Sequence, residues 1–445
     1  MLGRILLTVS ALAQAVGSFI ADFNETHVLN PRWPPHARFH NGHTMSLGLC
    51  LGLATLYYTH RNHETPTGKD DDLFTAAIFG TLYWISGLSA ILYPGSKGMD
   101  PEFGEEFPQF WIFIGFEMGA TWSQFFPPTP TLTEQNLPDQ KGKIFIITGG
   151  ASGIGFELAT ILFQAGGKVY IAGRSQSKAH QSIEQIKALT HNAQGQLEFL
   201  FLELDDLNAI KASVQAFQAK EPKLDVLWNN AGVSLPPLGT ISKQGHELQL
   251  ATNCLGPFLL TQLLLPSLRA AAQSAPPGSV RVVWTSSQTV ELSAPKGGPA
   301  MADITSPPAD KTKNYVASKT GNWFLGSELA RAAATPGSPA YGILSVTQNP
   351  GNLSTSLLRH ARWMKVLSAP LLHRPRLGAY TELWAGLAPE LTLEAHNGAY
   401  VVPWGRLHTA PRSDLLDALK SKAEEGSGRA REFWEWCERQ TADYM

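Results

Sequence analysis

Residues 141–155 read KGKIFIITGGASGIG, and this stretch decides the fold. A continuous apolar run that ends in a glycine-rich turn is typical of a strand buried on both faces of a sheet. Gly149 permits the tight turn, Gly153 lets the backbone approach a pyrophosphate, and Gly155 allows the following helix to pack closely on the strand. The stretch therefore predicts an α/β fold with a doubly wound parallel sheet, which binds a dinucleotide at the N-terminus of its first helix.

The end of the second predicted strand, KVYIAGR at 168–174, selects the cofactor. An acidic residue at this point would hydrogen-bond the ribose hydroxyl of NAD, whereas this sequence has Arg174. Because a guanidinium suits a phosphate, Arg174 predicts NADP(H). The alternative is an arginine that merely lies on the surface.

Five further motifs follow in the chain. They are NNAG at 229–232, NCLGPFLLT at 253–261, VRVVWTSSQ at 280–288, YVASK at 315–319 and NPGNLST at 349–355. Together with TGGASGIG at 148–155, the set resembles the short-chain dehydrogenase/reductase family, particularly its retinol-dehydrogenase-like and fungal secondary-metabolism members. The resemblance extends from Lys141 to near the C-terminus.

The resemblance implies the functional residues. The catalytic set would be Asn253, Ser287, Tyr315 and Lys319. The residues that bind the cofactor would be Gly149, Ser152, Gly153, Ile154, Gly155, Arg174, Glu203, Asn230, Ala231, Gly232, Tyr315, Lys319, Pro350, Gly351 and Thr355. Two alternatives stay open: Asp205 competes with Glu203 for the adenine, and Ser286 competes with Ser287. No metal ligand is implied.

Tyr315 and Lys319 have the spacing that acid–base chemistry at a carbonyl requires. Positions i and i+4 share one helix face, so the ammonium can favour the tyrosinate of a residue whose free pKa is about 10. By the resemblance, Lys319 also holds the nicotinamide ribose and Ser287 hydrogen-bonds the carbonyl oxygen. Asn253 would support a water that relays protons to Lys319.

The first 126 residues are more apolar and aromatic than the rest. Apolar runs at 5–20, 45–58, 74–93 and 110–126 approach the ~20 residues that a membrane-spanning helix needs. They predict a four-helix membrane module over 1–126, a Pro-rich linker over 127–139 and the cofactor-binding domain over 140–445. The alternatives are buried helices of a soluble domain and, for residues 2–15, a secretory signal.

Polar residues of this first region suggest its orientation and a second site. The positive-inside rule places the C-terminal part in the cytosol, with the endoplasmic reticulum as one membrane that fits. His36, His40 and His43 have helical spacing, which suits either a metal or acid/base site or contact with lipid headgroups. Glu117 lies within the fourth run, where an ionisable residue is a functional candidate.

Composition excludes several other classes. The 445-residue chain carries a formal net charge of -2 and has no basic block, so nothing indicates a nucleic-acid partner. Its three cysteines, Cys50, Cys254 and Cys437, lie far apart and show neither metal-ligand nor disulfide spacing.

The sequence predicts an NADP(H)-dependent oxidoreductase that interconverts an alcohol and a ketone or aldehyde on a lipophilic small molecule, in secondary metabolism. Residues 356–376, SLLRHARWMKVLSAPLLHRPR, would cover the substrate or touch the membrane. The alternative is a bifunctional protein whose N-terminal module is a separate isomerase-like or cyclase-like enzyme. A homo-oligomer is one of the assembly states that the sequence leaves open.

Overall fold

The computed structural model describes residues 2–25, 27–61, 66–89, 124, 127–190, 193–355 and 372–445. The chain divides into two compact units, Met1–Trp122 and Ser123–Met445. The described helices of the first unit are α1 (Leu2–Asp22), α2 (Pro35–His60) and α3 (Pro66–Ser89). They cover the first two predicted apolar runs and the third as far as Ser89. The rest of the third run, and the fourth except Gln124, lie outside the described residues.

The interior of the first unit contains many small and polar side chains. Ser10, Gln14 and Thr55 are at most 8% exposed, whereas Leu12 and Leu53 are at least 50% exposed. Gln14 donates from Nε2 to the carbonyl of Gly80, which ties α1 to α3. Several large apolar side chains of these helices therefore face outward, although Met45 and Trp84 are each only 5% exposed.

Two glycines let α1 and α2 approach closely. A Cβ added at Gly52 would lie 2.6 Å from the carbonyl oxygen of Ala11, and one at Gly48 would lie 2.9 Å from that of Gln14. Small residues at i and i+4 are common where helices pack within a membrane. Among the described residues, however, one helical stretch is long and apolar enough to cross a membrane by length and hydropathy alone. It is Leu248–Ala272 of the second unit, and 78% of its most apolar 18-residue segment is buried within the protein.

The second unit is an eight-stranded sheet. The strand order is β3-β2-β1-β4-β5-β6-β7-β8, and every neighbouring pair is parallel except β7 and β8. The strands are β1 Ile144–Thr148, β2 Lys168–Gly173, β3 Gln196–Phe201, β4 Val226–Asn229, β5 Arg281–Thr285, β6 Leu344–Gln348, β7 Tyr400–Val402 and β8 Arg406–Leu407. This order confirms the predicted doubly wound parallel sheet.

Helices cover both faces of the sheet. They are α4 Gly153–Gln164, α5 Gln176–Leu189, α6 Leu207–Gln218, α7 Leu248–Leu250, α8 Gly256–Ala272, α9 Gln288–Ser293, α10 Met301–Thr305, α11 Lys311–Ala334, α12 Pro375–Leu387, α13 Leu393–His396, α14 Ser413–Leu419 and α15 Arg429–Thr441. A π-helical turn, Ala251–Leu255, joins α7 to α8.

Strand β1 shows why the sheet has two cores. Its side chains alternate, so Ile146 packs in one core with α6, α8 and α11, while Phe145 and Ile147 pack in the other with α4, α5 and α12. All five residues of β1 are buried, as a continuous apolar run requires. Part of the predicted linker also packs here: Leu132 is 7% exposed and Glu134 pairs with Arg376 at 2.9 Å.

Candidate active site

The glycine-rich turn joins β1 to α4 as predicted. Gly149 and Gly153 have positive φ angles of 69° and 57°, a region that glycine adopts without steric cost. A Cβ at Gly155 would lie 2.7 Å from the carbonyl oxygen of Gly149, so only glycine fits. Ser152 precedes α4 and Ile154 lies in its first turn. The unpaired N–H groups of this twelve-residue helix form a cradle that fits a pyrophosphate.

The NNAG segment is tied to β1 at the carboxyl edge of the sheet. Asn230 donates from Nδ2 to the carbonyl of Thr148 at 2.8 Å, and the N–H of Ala231 donates to the Thr148 hydroxyl at 2.9 Å. A Cβ at Gly232 would lie 3.3 Å from Lys319 Nζ. The segment thus bridges the glycine-rich turn and the predicted catalytic residues.

A crevice of about 370 Å³ opens beside this segment. Its lining includes Gly149, Arg174, Leu204, Asp205, Ala231 and Gly232. Arg174 is 65% exposed at the rim and lies 3.7 Å from a carboxylate oxygen of Asp205. Asp205 is among the residues that line the crevice, whereas Glu203 is not, and the choice between them for the adenine stays a prediction.

Tyr315 and Lys319 are brought together on α11. Tyr315 is 8% exposed and Lys319 is 3% exposed, and Lys319 Nζ lies 6.0 Å from the centroid of the tyrosine ring. Burial raises the pKa of Tyr315 to about 12, although a hydrogen bond with Ser287 lowers it. Burial lowers the pKa of Lys319 to about 8. Burial therefore moves the two pKa values apart, and Ser287 rather than Lys319 is the group that lowers the pKa of the phenol in this structure.

The two candidate serines face different partners. Ser287 caps α9, is partly exposed and hydrogen-bonds Tyr315. Ser286 is 2% exposed and donates from Oγ to the carbonyl of Lys319 at 2.9 Å. Ser287 is thus the serine beside the phenol, whereas Ser286 fixes the backbone of α11.

Asn253 lies in the π-helical turn, a feature that often marks functional sites. Its Oδ1 accepts from the N–H of Val233 at 2.8 Å, and its Nδ2 donates to the hydroxyl of Ser318 at 2.9 Å. The side chain therefore holds the NNAG loop against α11. A Cβ at Gly232 would lie 3.2 Å from its Oδ1 and nearly as close to Lys319 Nζ, so Asn253 and Lys319 are neighbours.

Comparison with known proteins identifies this arrangement. The model of the short chain dehydrogenase family matches residues 143–299. A short-chain dehydrogenase/reductase of Pestalotiopsis fici is 44% identical over 324 residues, which is 72% of this chain and 96% of the relative. The chain belongs to the short-chain dehydrogenase/reductase family.

Other relatives agree with this assignment. A short-chain dehydrogenase/reductase of Phomopsis amygdali is 45% identical over 329 residues, 73% of this chain and 97% of the relative. The crystal structure of an uncharacterized protein from Mycobacterium paratuberculosis is similar with a TM-score of 0.50 and 26% identity, covering 71% of this chain and 98% of that one. Residues 6–118 match a family of unknown function, DUF6640.

As a member of this oxidoreductase family, the chain has a site suited to a nicotinamide dinucleotide. When bound, NAD(P)(H) supplies or accepts the hydride. The predicted proton donor is Tyr315, whose phenol hydrogen-bonds the hydroxyl of Ser287. Lys319 places a cation beside the phenol. These three groups can stabilise and protonate an alkoxide that forms at a carbonyl.

The segment after β6 approaches the glycine-rich turn. Thr355 lies 3.6 Å from the position of a Cβ at Gly153. Gly351 has a φ of 87°, and its N–H donates to Asn349 Oδ1 at 3.0 Å, which turns the chain directly after Pro350. Thr355 thus lies beside the turn predicted to hold the pyrophosphate, and its contact with the nicotinamide end stays a prediction. Most of the predicted substrate cover, residues 356–371, lies outside the described residues.

Sequence reasoning missed two residues near the site. Leu235 has a φ of 52°, is held by a hydrogen bond from its N–H to Gln249 Oε1 at 2.9 Å, and packs on Tyr315. A left-handed leucine is unusual and is found where function imposes strain. Glu382 is fully buried behind Lys319. The sequence feature that could have identified Glu382 is a single carboxylate within the otherwise apolar helical stretch YTELWAGL.

Two of the three histidines predicted to share a helix face form a pair. His36 and His40 face each other across one helical turn with their Nε2 atoms 3.0 Å apart. Among the residues that the structure describes, no three His, Cys, Asp or Glu side chains are placed to share a metal ion. Glu117, the other predicted candidate, lies outside the described residues.

Proposed function

We propose that the protein is an NADPH-dependent reductase of a ketone or aldehyde on a lipophilic small molecule, in fungal secondary metabolism. The observation that carries the cofactor choice is Arg174, whose exposed guanidinium lies at the rim of the crevice. A 2′-phosphate is the group that a guanidinium at this point recognises. Reduction is the direction that NADPH favours in the cell.

The partner of Arg174 supports this choice. Asp205 lies 3.7 Å away, beyond ideal hydrogen-bond distance, so the pair is loose and the guanidinium keeps donors for a phosphate.

The surroundings of Tyr315 support an apolar substrate. Leu235 packs on the tyrosine ring and places an apolar side chain beside the phenol. Apolar walls with few polar groups favour ligands that lose little hydration on binding. A lipophilic carbonyl compound therefore fits better than a sugar or an amino acid.

Titration of the purified full chain with NADPH and NADH tests this proposal. The binding is followed by nucleotide fluorescence for the native protein, Arg174→Glu and the control Arg269→Glu, which changes an exposed arginine on α8. We expect Arg174→Glu to weaken NADPH binding by about 10- to 100-fold, since it replaces a charge-assisted contact by repulsion. NADH binding should change by much less.

Two results would overturn the proposal at different levels. If the native protein binds NADH more tightly than NADPH, the cofactor assignment to Arg174 is wrong. If it binds neither nucleotide, the reductase function itself fails. Equal losses in Arg174→Glu and Arg269→Glu would show a general charge effect.

We further infer that the first unit embeds the protein in a membrane, with the catalytic unit in the cytosol, and that the endoplasmic reticulum is the membrane. The inference is supported by exposed leucines such as Leu12 and Leu53, and by the polar side chains of Ser10, Gln14 and Thr55 in the interior. Interfaces of small residues such as Gly48 and Gly52 suit helices in lipid. After alkaline carbonate extraction of microsomes, the full chain should stay in the pellet; release into the supernatant would contradict the inference.

A further inference from the structure

Glu382 is a buried carboxyl at the back of the catalytic site. It lies on α12 and is 0% exposed. Its Oε1 accepts hydrogen bonds from Thr285 Oγ1 at 2.9 Å and Gln348 Nε2 at 2.8 Å. Its Oε2 has no hydrogen-bond partner among the described residues. A buried carboxyl with one unsatisfied oxygen destabilises a fold unless another requirement keeps it there.

Thr285 connects this carboxyl to the catalytic lysine. The hydroxyl of Thr285 donates to Glu382, and its backbone carbonyl accepts from Lys319 Nζ at 2.9 Å. Asn322 also donates to that carbonyl, at 3.0 Å. Thr285 is the last residue of β5, so its position is fixed by the sheet. Its side chain therefore holds Glu382 in place, and its backbone carbonyl holds Lys319.

The two groups influence each other's protonation. Burial raises the pKa of Glu382 to about 8, while a hydrogen bond from Thr285 and the charge of Lys319 lower it. Burial lowers the pKa of Lys319 to about 8, while Cys254 and Glu382 raise it. Burial also raises the pKa of the Cys254 thiol, so this cysteine stays neutral at physiological pH.

Other charged groups near α12 are engaged elsewhere. Arg281 on β5 donates to the carbonyls of Ala385 and Ala388 at the far end of the helix. Glu157 on α4 pairs with Arg376 at 3.2 Å. Tyr315 is a neighbour of Lys319 on its own helix, and burial keeps that phenol protonated.

We propose that Glu382 is a positioning residue that keeps Lys319 charged. The ionised carboxylate, which Thr285 holds close to the lysine, stabilises the ammonium that faces Tyr315. Without Glu382, Lys319 would lose its proton at a lower pH. Glu382 thereby extends to higher pH the range in which Lys319 can bind the cofactor ribose and favour the tyrosinate. This role rests on the proposed reductase function, since it acts through Lys319.

The matched control is Glu328, a second buried glutamate on α11. It is 3% exposed, but it pairs with Arg331 at 3.5 Å and Arg431 at 3.9 Å. Replacing either glutamate by glutamine keeps the size and removes the charge. A purely structural effect of losing a buried carboxylate should therefore appear in both variants, whereas an effect on Lys319 should appear only in Glu382→Gln.

The experiment measures the affinity of the full chain for NADPH from about pH 6 to about pH 10, by nucleotide fluorescence, a range that brackets the lysine titration. The proteins are the native chain, Glu382→Gln, Glu328→Gln and Lys319→Met. We expect affinity to fall at alkaline pH as Lys319 loses its proton. In Glu382→Gln this fall should begin about one pH unit lower, so that near its midpoint NADPH binds roughly tenfold more weakly.

Each outcome bears on a distinct claim. Superimposable profiles of the native chain and Glu382→Gln would overturn the role of Glu382, and so would an equal shift in Glu328→Gln. Lys319→Met should remove the alkaline step, which assigns it to the lysine. If Glu382→Gln does not fold, Thr285→Val tests the same link, because losing the hydroxyl donor raises the pKa of the Glu382 carboxyl. Failure of the native chain to bind NADPH at any pH would instead overturn the proposed function.

Discussion

The two units of this chain differ in the side chains that they bury. The interior of the first holds Ser10, Gln14 and Thr55 beside Trp84, while that of the second is filled by large apolar side chains such as Trp228 and Trp284. A core of large apolar side chains is what the hydrophobic effect produces in water. Small and polar residues between helices, with leucines outside, indicate that close backbone approach and hydrogen bonds hold the helices together. Hydrophobic content alone would not have separated these two cases.

The largest effect that would test this comparison is expected at Trp228. Its ring is fully buried, and its Nε1 donates to the carbonyl of Glu382 at 2.9 Å. Trp228→Ala should lower the free energy of unfolding of the second unit by about 3–5 kcal/mol. Chemical denaturation of the full chain in detergent measures this loss. Phe201→Ala, at a 47% exposed position, should cost far less; similar losses would contradict the assigned core.

Catalysis is the next test, because it should depend on the second unit alone. Tyr315→Phe removes the proton donor and keeps the buried ring, so the melting temperature should stay near that of the native chain. NADPH oxidation with the diketone 9,10-phenanthrenequinone should slow by about 10²- to 10⁴-fold. Tyr341→Phe, which alters a 51% exposed tyrosine, should retain the native rate. An active Tyr315→Phe variant would place the proton donor elsewhere.

Overpacking of the first unit should have a moderate effect. Gly52→Leu forces a side chain against Ala11 and should destabilise the helices by about 1–3 kcal/mol. Gly17→Leu is the control, since a Cβ there meets nothing within 4 Å. Calorimetry with saturating NADPH separates the units, because the nucleotide stabilises only the unit that binds it. A loss confined to the NADPH-sensitive transition would be evidence against the close packing of α1 on α2.

The smallest effect should come from an ion pair that anchors the loop after β5. Arg412 donates to Asp414 at 2.7 Å, and Asp414 accepts from the N–H of Gly297 at 2.7 Å. The Arg412 guanidinium lowers the pKa of Asp414 to about 2. The ionised Asp414 carboxylate therefore stabilises the fold above about pH 4, the pKa that an aspartate has in the unfolded chain. This stabilisation is lost as the pH falls towards 2.

Asp414→Asn should therefore lower the free energy of unfolding by about 1 kcal/mol near pH 7. The loss should become smaller in acid, where the native aspartate is itself protonated. Urea unfolding of the full chain at several pH values measures the difference. The control is Asp417→Asn, which changes an exposed aspartate of α14. A penalty for Asp414→Asn that grows on acidification would contradict the pairing.

The sequence by itself determined what depends on short spacing. The turn from β1 into α4 needs glycines at 149, 153 and 155 because of local backbone geometry, and Tyr315 and Lys319 meet because i and i+4 share a helix face. The parallel sheet followed from continuous apolar runs such as β1, which are buried on both faces. In the first unit, the same kind of run predicted helices but not which residues they bury.

Only the tertiary structure decided which side chains meet across distant segments. Ser286 and Ser287 are adjacent in sequence, yet the twist of β5 into α9 directs one to the backbone of Lys319 and the other to the phenol of Tyr315. Glu382 is more than sixty residues from Lys319, and only the packing of α12 behind β5 makes them a pair. Such contacts depend on the order of the strands and on the rotation of each helix against the sheet. No local sequence pattern encodes these features, because they are fixed only when distant segments pack against each other.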